Sequence, residues 1–547
     1  MLILGVGGSS HDYSACLVED GNIKVAIEDE RITRIKHSRN LGIRASKSRA
    51  VYYCLDTYGK TLDDVDLIVG NDLLDLNPAY YYRFRDRIIL INHHLSHACS
   101  AFFVSPYENA AILIVDGHGS MFDTSPGSET LLTETITYYY GEGNNITEIK
   151  KINSKMKRVR PTTIEDSIGR FYQRLGTEIG FPFTEEGKTM GLAPYGTTKY
   201  VDEFSRYYSM DGEGNFKQTF EQKNNMIKFI SNELLKAENN DVSFQIKADV
   251  AYAGQYHLEQ AIIKAANFIY QKTKCKNLCL AGGVALNSVA NFKILENTPF
   301  ENIFIQPAAG DAGTSIGSAL YGHYVIKGNV RSPASIPFSP YLGKLYKDSD
   351  IIELLKEYSS EIFFQKPEDI YTEVSKLISE GNIIGWFNGR SEIGPRSLGN
   401  RSILADARNR NMKNIINERI KHREMFRPFA PVVLEEKQSE YFDLSHPSYY
   451  MLLVPPIHVE KRNIIPSVVH VDGTGRVQTV NKDLNPQLHS LLTAFYNITN
   501  VPVLLNTSFN DNGEPIVETP KDALQCFLKI DLDYLIMGNY LIKKKSV

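Results

Sequence analysis

The sequence lacks the features of several classes of protein. Its six cysteines are scattered, and no spacing among them resembles a disulfide framework or a zinc ribbon, so we predict reduced thiols in the core. No stretch approaches the roughly 18 apolar residues that a membrane-spanning helix needs. The amino terminus has neither the basic region nor the long apolar run of a signal peptide. These absences predict a cytoplasmic protein with no membrane partner.

An excess of charge of one sign is also absent. The 547 residues include 60 Lys and Arg against 64 Asp and Glu, which gives a formal net charge of −4. A dedicated nucleic-acid-binding protein has a strongly basic domain or stripe, so we do not expect nucleic acid as a partner. At about 150 residues per domain, the chain is long enough for more than one domain.

Three common site motifs are missing or misplaced. The chain has no P-loop sequence of the form Gly-x-x-x-x-Gly-Lys-Ser/Thr. Residues 5–8 lack the third glycine of a dinucleotide-binding turn, and a strand rather than a helix is predicted to follow them. Residues 313–317 match the letters of a nucleophile elbow, but Ser315 falls inside a predicted helix instead of on a sharp turn after a strand. We therefore reject the dinucleotide-binding and hydrolase interpretations.

The alternation of apolar strands with helical patterns predicts an α/β fold. Three strands are predicted near the amino terminus, and strands and helices alternate after them. Residues 330–344 carry three prolines and are typical of a linker. We place a large domain at 1–335, a linker at 336–349 and a smaller domain at 350–547.

Two features suggest a metal site in the large domain. His93 and His97 are four residues apart, so they lie on one face of a predicted helix and can share a metal ion. Asp116 follows a buried strand and precedes a glycine, which places its carboxylate at an edge of the sheet. The alternatives are a polar helix start for the histidines and a simple turn for Asp116.

Two glycine-containing turns, at 281–287 and 310–314, each join a predicted strand to a helix. Such turns allow a nucleotide to approach the backbone, and the helix amino terminus favours phosphate. Either turn alone is more typical of an ordinary α/β connection than of a nucleotide site.

The smaller domain contains a strongly basic segment. Residues 386–427 include ten Lys and Arg but only four Asp and Glu. Within it, 394–402 and 421–429 place cations among glycine, proline and aromatic residues, which indicates a fixed anion pocket. A solvated charged face is the alternative, and RNA is less favoured because aromatic residues for base stacking are few. Residues 505–510 add hydroxyls and amides after an apolar run, which suits a small polar ligand or a polar turn.

Taken in order, these motifs resemble the NodU/CmcH family of O-carbamoyltransferases over nearly the whole chain. His93-x-x-x-His97, Asp116-Gly117, Gly282-Gly283-x-x-x-Asn287 and Gly310-Asp311-x-Gly313 resemble the TsaD-type branch of the actin-like ATPase fold. The segments 394–402, 421–429 and 506–510 resemble a YrdC-like domain. The resemblance thus implies an actin-like ATPase (TsaD-type) amino-terminal domain followed by a smaller YrdC-like α/β domain.

The resemblance also implies a reaction in two steps. The YrdC-like domain would convert carbamoyl phosphate and ATP, with Mg²⁺, to carbamoyl-adenylate. The intermediate would pass internally to the TsaD-like domain, where a hydroxyl of a small natural product attacks the carbamoyl carbon beside a metal ion. The family metal is usually Fe²⁺, although two imidazoles and two carboxylates suit Mn²⁺ or Zn²⁺ as well. Family acceptors include aminoglycosides and cephalosporin precursors, so antibiotic biosynthesis is an expected setting.

The residues that the resemblance implies fall into four groups. The metal ligands are His93, His97, Asp116 and Asp311. The carbamoyl phosphate ligands are Arg396, Lys421, Arg427, Arg476, Asn506 and Ser508. The nucleotide-binding residues are Gly282, Gly283, Asn287 and Gly310. The catalytic candidates are His11 and Lys36 near the acceptor, together with Arg396 and Lys421.

Three other functions share some of these features. A tRNA threonylcarbamoyl enzyme uses the same domain types, but normally as separate chains, and this sequence has no strongly basic face for RNA. A HypF-type maturation protein joins the domains in the reverse order and carries zinc-finger cysteine pairs, which are absent here. A non-catalytic nucleotide-dependent regulator would not need both donor-site and metal-site residues. A homodimer is compatible with the sequence.

Overall fold

Strands and helices alternate along the chain as the sequence predicts, so the protein has an α/β fold. The computed structural model describes residues 1–123, 130–157 and 163–545. The strands and helices up to the end of the first large unit are β1 (Leu2–Gly7), β2 (Ser14–Glu19), β3 (Asn22–Glu28), α1 (Asp29–Thr33), α2 (Arg49–Tyr58), β4 (Leu67–Asn71), β5 (Ile88–Ile91), α3 (His93–Phe102), β6 (Asn109–Val115), β7 (Met121–Asp123), β8 (Thr130–Glu142), β9 (Asn145–Lys157), β10 (Thr163–Ile164), α4 (Ile168–Glu178), α5 (Glu186–Leu192), α6 (Val201–Phe204), β11 (Ser209–Met210), β12 (Phe216–Lys217), α7 (Phe220–Leu234), α8 (Asn240–Thr273), β13 (Asn277–Ala281), α9 (Ser288–Asn297), β14 (Asn302–Ile305) and α10 (Thr314–Tyr321).

The remaining elements form the carboxyl-terminal part of the chain. They are α11 (Asp348–Glu357), β15 (Ile362–Gln365), α12 (Ile370–Ser379), β16 (Ile384–Phe387), β17 (Arg401–Asp406), α13 (Met412–Ile416), β18 (Ala430–Leu434), α14 (Gln438–Tyr441), β19 (Gln478–Val480), α15 (Pro486–Thr499), β20 (Val503–Ser508), α16 (Pro520–Lys529), β21 (Tyr534–Met537) and β22 (Tyr540–Lys544).

The chain divides into two compact units that differ in one respect from the linear division at 1–335 and 350–547. The first unit comprises Met1–Ile23, Ala45–Lys47 and Thr61–Phe338, and the second comprises Lys24–Arg44, Ser48–Lys60 and Ser339–Val547. The change at Phe338 lies within the predicted linker. Two early segments nevertheless belong to the second unit, because their contacts are with residues far along the chain.

Two sheets of the first unit bring several strand ends to common edges. The first contains β2-β1-β4-β5 in that order, and the second runs β10-β9-β8-β6-β13-β14 with β7 paired to β8. β13 is parallel to both β6 and β14, and Ala281 pairs with Ile114. The residues that follow β6 and β13, including Asp116 and Gly282, therefore meet at one edge.

Helices α3 and α10 pack closely in the first unit. A Cβ atom on Gly317 of α10 would lie only 1.8 Å from the carbonyl oxygen of Ser96 on α3, so this crossing requires glycine. The close packing fixes α3, which carries His93 and His97, against the helix that follows Asp311.

The second unit is built on one mixed sheet in the order β15-β22-β21-β16-β17-β20-β18-β19. Its core contains Trp386, Leu404, Val432 and Leu504 together with residues of α12 and α15. Strands β17 and β20 are antiparallel, with Ser402 opposite Ser508. This register brings two motifs together that are more than 100 residues apart in the sequence.

No disulfide bond joins any of the six cysteines, and all six are buried, as predicted for core residues. Among the residues that the structure describes, no helix combines the length and the apolar character that crossing a membrane requires.

Candidate active site

The four predicted metal ligands lie together in the first unit. One ligand atom from each of His93, His97, Asp116 and Asp311 lies within 4.8 Å of the others, and all four residues are buried. His93 Nε2 is 3.5 Å from Asp116 Oδ2 and 3.6 Å from Asp311 Oδ1. His97 Nε2 is 3.4 Å and 3.7 Å from the same two oxygens. The helix start and the two strand-end turns thus converge on one point.

The donor set of this cluster fits a divalent metal ion. The Nε2 atoms of His93 and His97 are 3.2 Å apart. Asp116 Oδ2 is buried and has no hydrogen-bond partner among the described residues. Two imidazole nitrogens and two carboxylate oxygens directed at one point can hold Fe²⁺, Mn²⁺ or Zn²⁺.

The carboxylates give the cluster a strong preference for positive charge. Burial alone would lower the pKa of His93, but Asp116 and Asp311 raise it to about 10. Burial would raise the pKa of Asp116 and Asp311, yet the two histidines hold both pKa values below their usual range. Two ionised carboxylates in a buried site therefore attract a cation, whether a proton or a metal ion.

A second group of side chains orients the ligands. Asn71 Nδ2 donates to the carbonyl oxygen of Gly8 at 2.8 Å and to Thr314 Oγ1 at 3.0 Å, so Asn71 Oδ1 faces His93 Nδ1 at 3.2 Å. His93 Nδ1 then carries its proton, and Nε2 is left to bind a metal. Ser9 Oγ donates to Asp311 Oδ2 and fixes the second carboxylate.

The catalytic candidate His11 lies beside the cluster. Its Nδ1 is 2.8 Å from Asp12 Oδ2 and 4.0 Å from Asp311 Oδ2, and its side chain is 19% exposed. His11 is thus partly accessible while the metal ligands are buried. Lys36, the other acceptor-site candidate, is exposed and belongs to the second unit.

A buried carboxylate that the sequence did not reveal connects two ligand-bearing elements. Glu134 Oε1 accepts from the backbone N–H groups of His94 at 3.0 Å and Ser120 at 2.9 Å. Glu134 Oε2 accepts from Asn92 Nδ2 at 2.9 Å and lies 3.0 Å from Lys151 Nζ. Burial would raise the pKa of Glu134, but His94, Lys151 and Asn92 lower it to about 2. Glu134 therefore ties the start of α3 to the loop after Asp116.

The first glycine turn runs directly against a metal-ligand carboxylate. Gly282 has a φ of 90°, and a Cβ atom there would lie 2.3 Å from the carbonyl oxygen of Val115. A Cβ atom on Gly283 would lie 3.2 Å from Asp116 Oδ1. Glycine therefore lets the backbone of this turn approach the metal cluster closely.

The other nucleotide candidates have structural contacts of their own. Asn287 Oδ1 accepts from the backbone N–H of Ala290 at 3.0 Å and so caps α9. Its Nδ2 donates to Gln255 Oε1 at 2.9 Å. Gly310 immediately precedes Asp311, so the second turn also ends at the metal cluster.

The second unit holds a dense group of arginines. Burial and Arg427 lower the pKa of Arg396 to about 10 and that of Arg423 to about 9. Burial and the other three arginines hold the pKa of Arg476 well below its usual range. Glu424 Oε2 lies 3.9 Å from Arg427 Nη1. Four guanidinium groups that interact electrostatically in this way make a strong site for a polyanion.

Lys421 contacts the loop that follows β20. Its Nζ donates to the carbonyl oxygens of Ser508 at 2.6 Å and Asn510 at 2.9 Å, and to Asn510 Oδ1 at 2.8 Å. Burial, followed by Arg423, lowers the pKa of Lys421 to about 7. The ammonium group thus fixes the loop that begins at Ser508, one of the predicted donor-site residues.

Asn506 and Ser508 are also hydrogen-bonded within the second unit. Asn506 Nδ2 donates to Gln478 Oε1 at 2.8 Å, and Ser508 Oγ donates to Asn510 Oδ1 at 2.6 Å. These contacts order the end of β20 in the unit that holds the arginines.

Sequence reasoning missed several residues of these two sites. Ser9, Asn71 and Arg423 contact or electrostatically affect predicted site residues. Glu134 binds the backbone of His94, next to His93. Arg423 stood within the basic segment and could have been singled out. Glu134 lies in the middle of a strand and gave no local signal.

The two units together define an α/β protein with a candidate metal site and a candidate polyanion site. The chain belongs to the carbamoyltransferase family. Residues 2–83 and 79–320 match the family model described as carbamoyltransferase N-terminus, and residues 375–544 match the one described as carbamoyltransferase C-terminus. The protein is therefore a carbamoyltransferase, and the family resemblance seen in the sequence is confirmed.

Relatives match almost the full chain. An uncharacterized protein of Synechocystis sp. is 35% identical over 100% of this chain and 97% of its own length. Nodulation protein NolNO of Sinorhizobium fredii is 35% identical over 98% of this chain and 79% of its own length. Nodulation protein U of the same species is 27% identical, with 94% of this chain and 95% of that protein covered.

A solved structure with a partial likeness is full-length HypF in its phosphate- and nucleotide-bound form. It covers 60% of this chain and 56% of its own, with 15% identity and a TM-score of 0.40. The assignment of the two units to TsaD-like and YrdC-like folds stays a prediction.

Proposed function

We propose that this carbamoyltransferase uses carbamoyl phosphate and ATP to form carbamoyl-adenylate, and transfers the carbamoyl group to a hydroxyl of a small natural product. The observation that carries the proposal is the group of Arg396, Arg423, Arg427 and Arg476 in the second unit. These four guanidinium groups act on one another electrostatically, and Glu424 is the carboxylate found 3.9 Å from Arg427. Such a surplus of positive charge fits a phosphate-bearing donor.

We assign the formation of carbamoyl-adenylate to the second unit. Carbamoyl phosphate loses phosphate to water, and an oxygen of the resulting carbamate attacks the α-phosphorus of ATP and displaces pyrophosphate. The arginines bind the anionic groups and stabilise the charge that develops on them. Lys421 holds the loop 508–510, so that the donor meets an ordered surface.

We assign the transfer of the carbamoyl group to the acceptor hydroxyl to the first unit. His93, His97, Asp116 and Asp311 would hold the metal ion, which would supply Lewis-acid polarisation of the carbamoyl group. The turn at Gly282 and Gly283 lies against the carboxylate of Asp116, so we infer that the adenylate binds beside this turn.

The proton of the acceptor hydroxyl requires a base near the carbamoyl carbon. His11 is partly exposed, and its Nδ1 lies 4.0 Å from Asp311 Oδ2. We infer that its imidazole accepts that proton. Asp12 Oδ2, 2.8 Å from His11 Nδ1, orients the ring and stabilises the imidazolium that forms.

Two half-reactions test the proposal. The purified protein is mixed with ATP, Mg²⁺ and carbamoyl phosphate, and pyrophosphate release is measured. A panel of hydroxylated metabolites is then added, and mass spectrometry records the gain of a carbamoyl group. No pyrophosphate release above a control without carbamoyl phosphate would remove the activation step. Carbamoyl gain without ATP would show direct transfer from carbamoyl phosphate instead.

A further inference from the structure

A segment near the amino terminus contacts two loops of the second unit. We call them the donor loops: one leads from Gly394 to Arg396, and the other runs from Ser508 to Ile516. We define the contacting segment as the brace segment, residues Lys24–Arg44, which belong to the same compact unit as Ser339–Val547. The segment contains three charged side chains that bind backbone groups of those loops: Glu28, Arg31 and Arg34.

Glu28 and Arg31 bind the backbone N–H and the carbonyl oxygen of Gly394. The backbone N–H of Gly394 donates to Glu28 Oε1 at 2.5 Å, and Arg31 Nη2 donates to the carbonyl oxygen of Gly394 at 2.7 Å. Gly394 stands two residues before Arg396, with Pro395 between them. The short, proline-stiffened connection means that fixing Gly394 restricts where the Arg396 side chain can start.

Arg34 holds the other donor loop. Its Nη1 donates to the carbonyl oxygen of Ile516 and its Nη2 to that of Pro515, both at 2.6 Å. Asn510 Nδ2 donates to the carbonyl oxygen of Glu514 at 2.6 Å, which ties the two ends of this loop together. Asn510 is the residue that accepts two hydrogen bonds from Lys421.

The placement of the charges is unlike that of a solvated surface. Arg31 is fully buried and Glu28 is 5% exposed, with 3.8 Å between Arg31 Nε and Glu28 Oε2. A buried pair of this kind contributes little net stability compared with apolar residues of the same size. Its directional hydrogen bonds instead fix the position of a loop backbone.

We propose that Glu28, Arg31 and Arg34 are positioning residues that set the geometry of Arg396 and Lys421 for the anionic donor. The brace segment thereby controls donor affinity from a part of the sequence remote from the donor motifs. This inference rests on the proposed use of carbamoyl phosphate by the second unit.

Arg34→Ala in the full-length protein tests the inference. Isothermal titration calorimetry with carbamoyl phosphate, and with inorganic phosphate as a second probe, gives the affinity of each variant. We expect Arg34→Ala to weaken both about tenfold, which is the lower end of the loss seen when the hydrogen-bond partners that orient metal-binding residues are removed. The matched control is Arg44→Ala, which removes the same charge from an exposed position of the same segment and should leave both affinities unchanged.

A double-mutant cycle separates positioning from general destabilisation. If Arg34 acts through the loop that binds Lys421, Arg34→Ala should weaken carbamoyl phosphate binding much less in a Lys421→Met background. Equal losses in both backgrounds, or unchanged affinity in Arg34→Ala, would overturn the inference. Should Arg34→Ala fail to fold, Arg34→Lys retains the charge but not the two-carbonyl contact, and unchanged affinity in that variant would overturn the inference equally.

The failure of the proposed function has a different signature. Wild-type protein that binds inorganic phosphate but not carbamoyl phosphate would refute the donor assignment. The role of the brace segment would then be tested by comparing the inorganic phosphate affinity of Arg34→Ala with that of Arg44→Ala.

Discussion

Replacement of Glu134 by glutamine should destabilise the first unit and weaken its metal site. Glutamine resembles the protonated form of glutamate, so the cost of the substitution approximates the stability that ionisation provides. The pKa of Glu134 is lowered from 4.5 to about 2, because His94, Lys151 and Asn92 outweigh the effect of burial. This difference corresponds to at most about 3 kcal/mol in the free energy of unfolding, because the pKa of His94 is itself lowered to about 4 and its ring is uncharged at pH 7.

The pH dependence of this contribution has a definite sign. The pKa of Glu134 is lower in the folded state than in the unfolded state. The stabilisation is therefore fully present above about pH 4.5 and is lost as the pH falls through about 2. At pH 7 Glu134 is ionised in the wild type and stabilises the fold, and Glu134→Gln lacks this contribution.

Urea unfolding at pH 7, followed by circular dichroism, measures the loss. The control is Glu148→Gln, since Glu148 also lies 3.1 Å from Lys151 Nζ but is 46% exposed. A surface partner of this kind contributes less than about 1 kcal/mol. Because Glu134 ties His94 to Ser120, cobalt titration read by visible absorption should also show weaker binding in Glu134→Gln. Equal unfolding free energies for the two variants would refute the reasoning.

Three further predictions concern the two sites. Arg427→Ala should weaken carbamoyl phosphate binding by about 1.5–3 kcal/mol in calorimetry. Arg427→Lys should also bind the donor less tightly, because an ammonium group lacks the planar, two-pronged geometry of a guanidinium. Unchanged affinity would mean that the donor binds elsewhere. Burial and Arg423 lower the pKa of Lys421 to about 7, so donor affinity should fall as the pH rises from 6 to 8. This range lies below the lowered pKa of Arg423, so Lys421→Met should flatten the profile. His97→Ala should abolish carbamoyl transfer yet spare pyrophosphate release, and equal loss of both in a folded variant would contradict the division of labour.

The sequence was sufficient for the α/β class and for the proximity of His93, His97 and Asp116. Residues His93 and His97 share a helix face by spacing alone, and Asp116 follows an apolar strand. Parallel strands deliver their carboxyl ends to one edge, so local patterns already implied that these side chains could meet. The linker was predicted from its prolines, which are a local signal, and the first unit ends at Phe338.

Only the tertiary structure assigned the segment Lys24–Arg44 to the second unit. Nothing in the periodicity of that segment specifies Gly394 or Pro515 as partners, since contacts between distant residues depend on how both regions pack. Glu134 was invisible for the same reason, because its partners His94 and Ser120 lie on other elements. The lowered pKa of Lys421 likewise arises from burial and from Arg423, and burial exists only once the chain has folded.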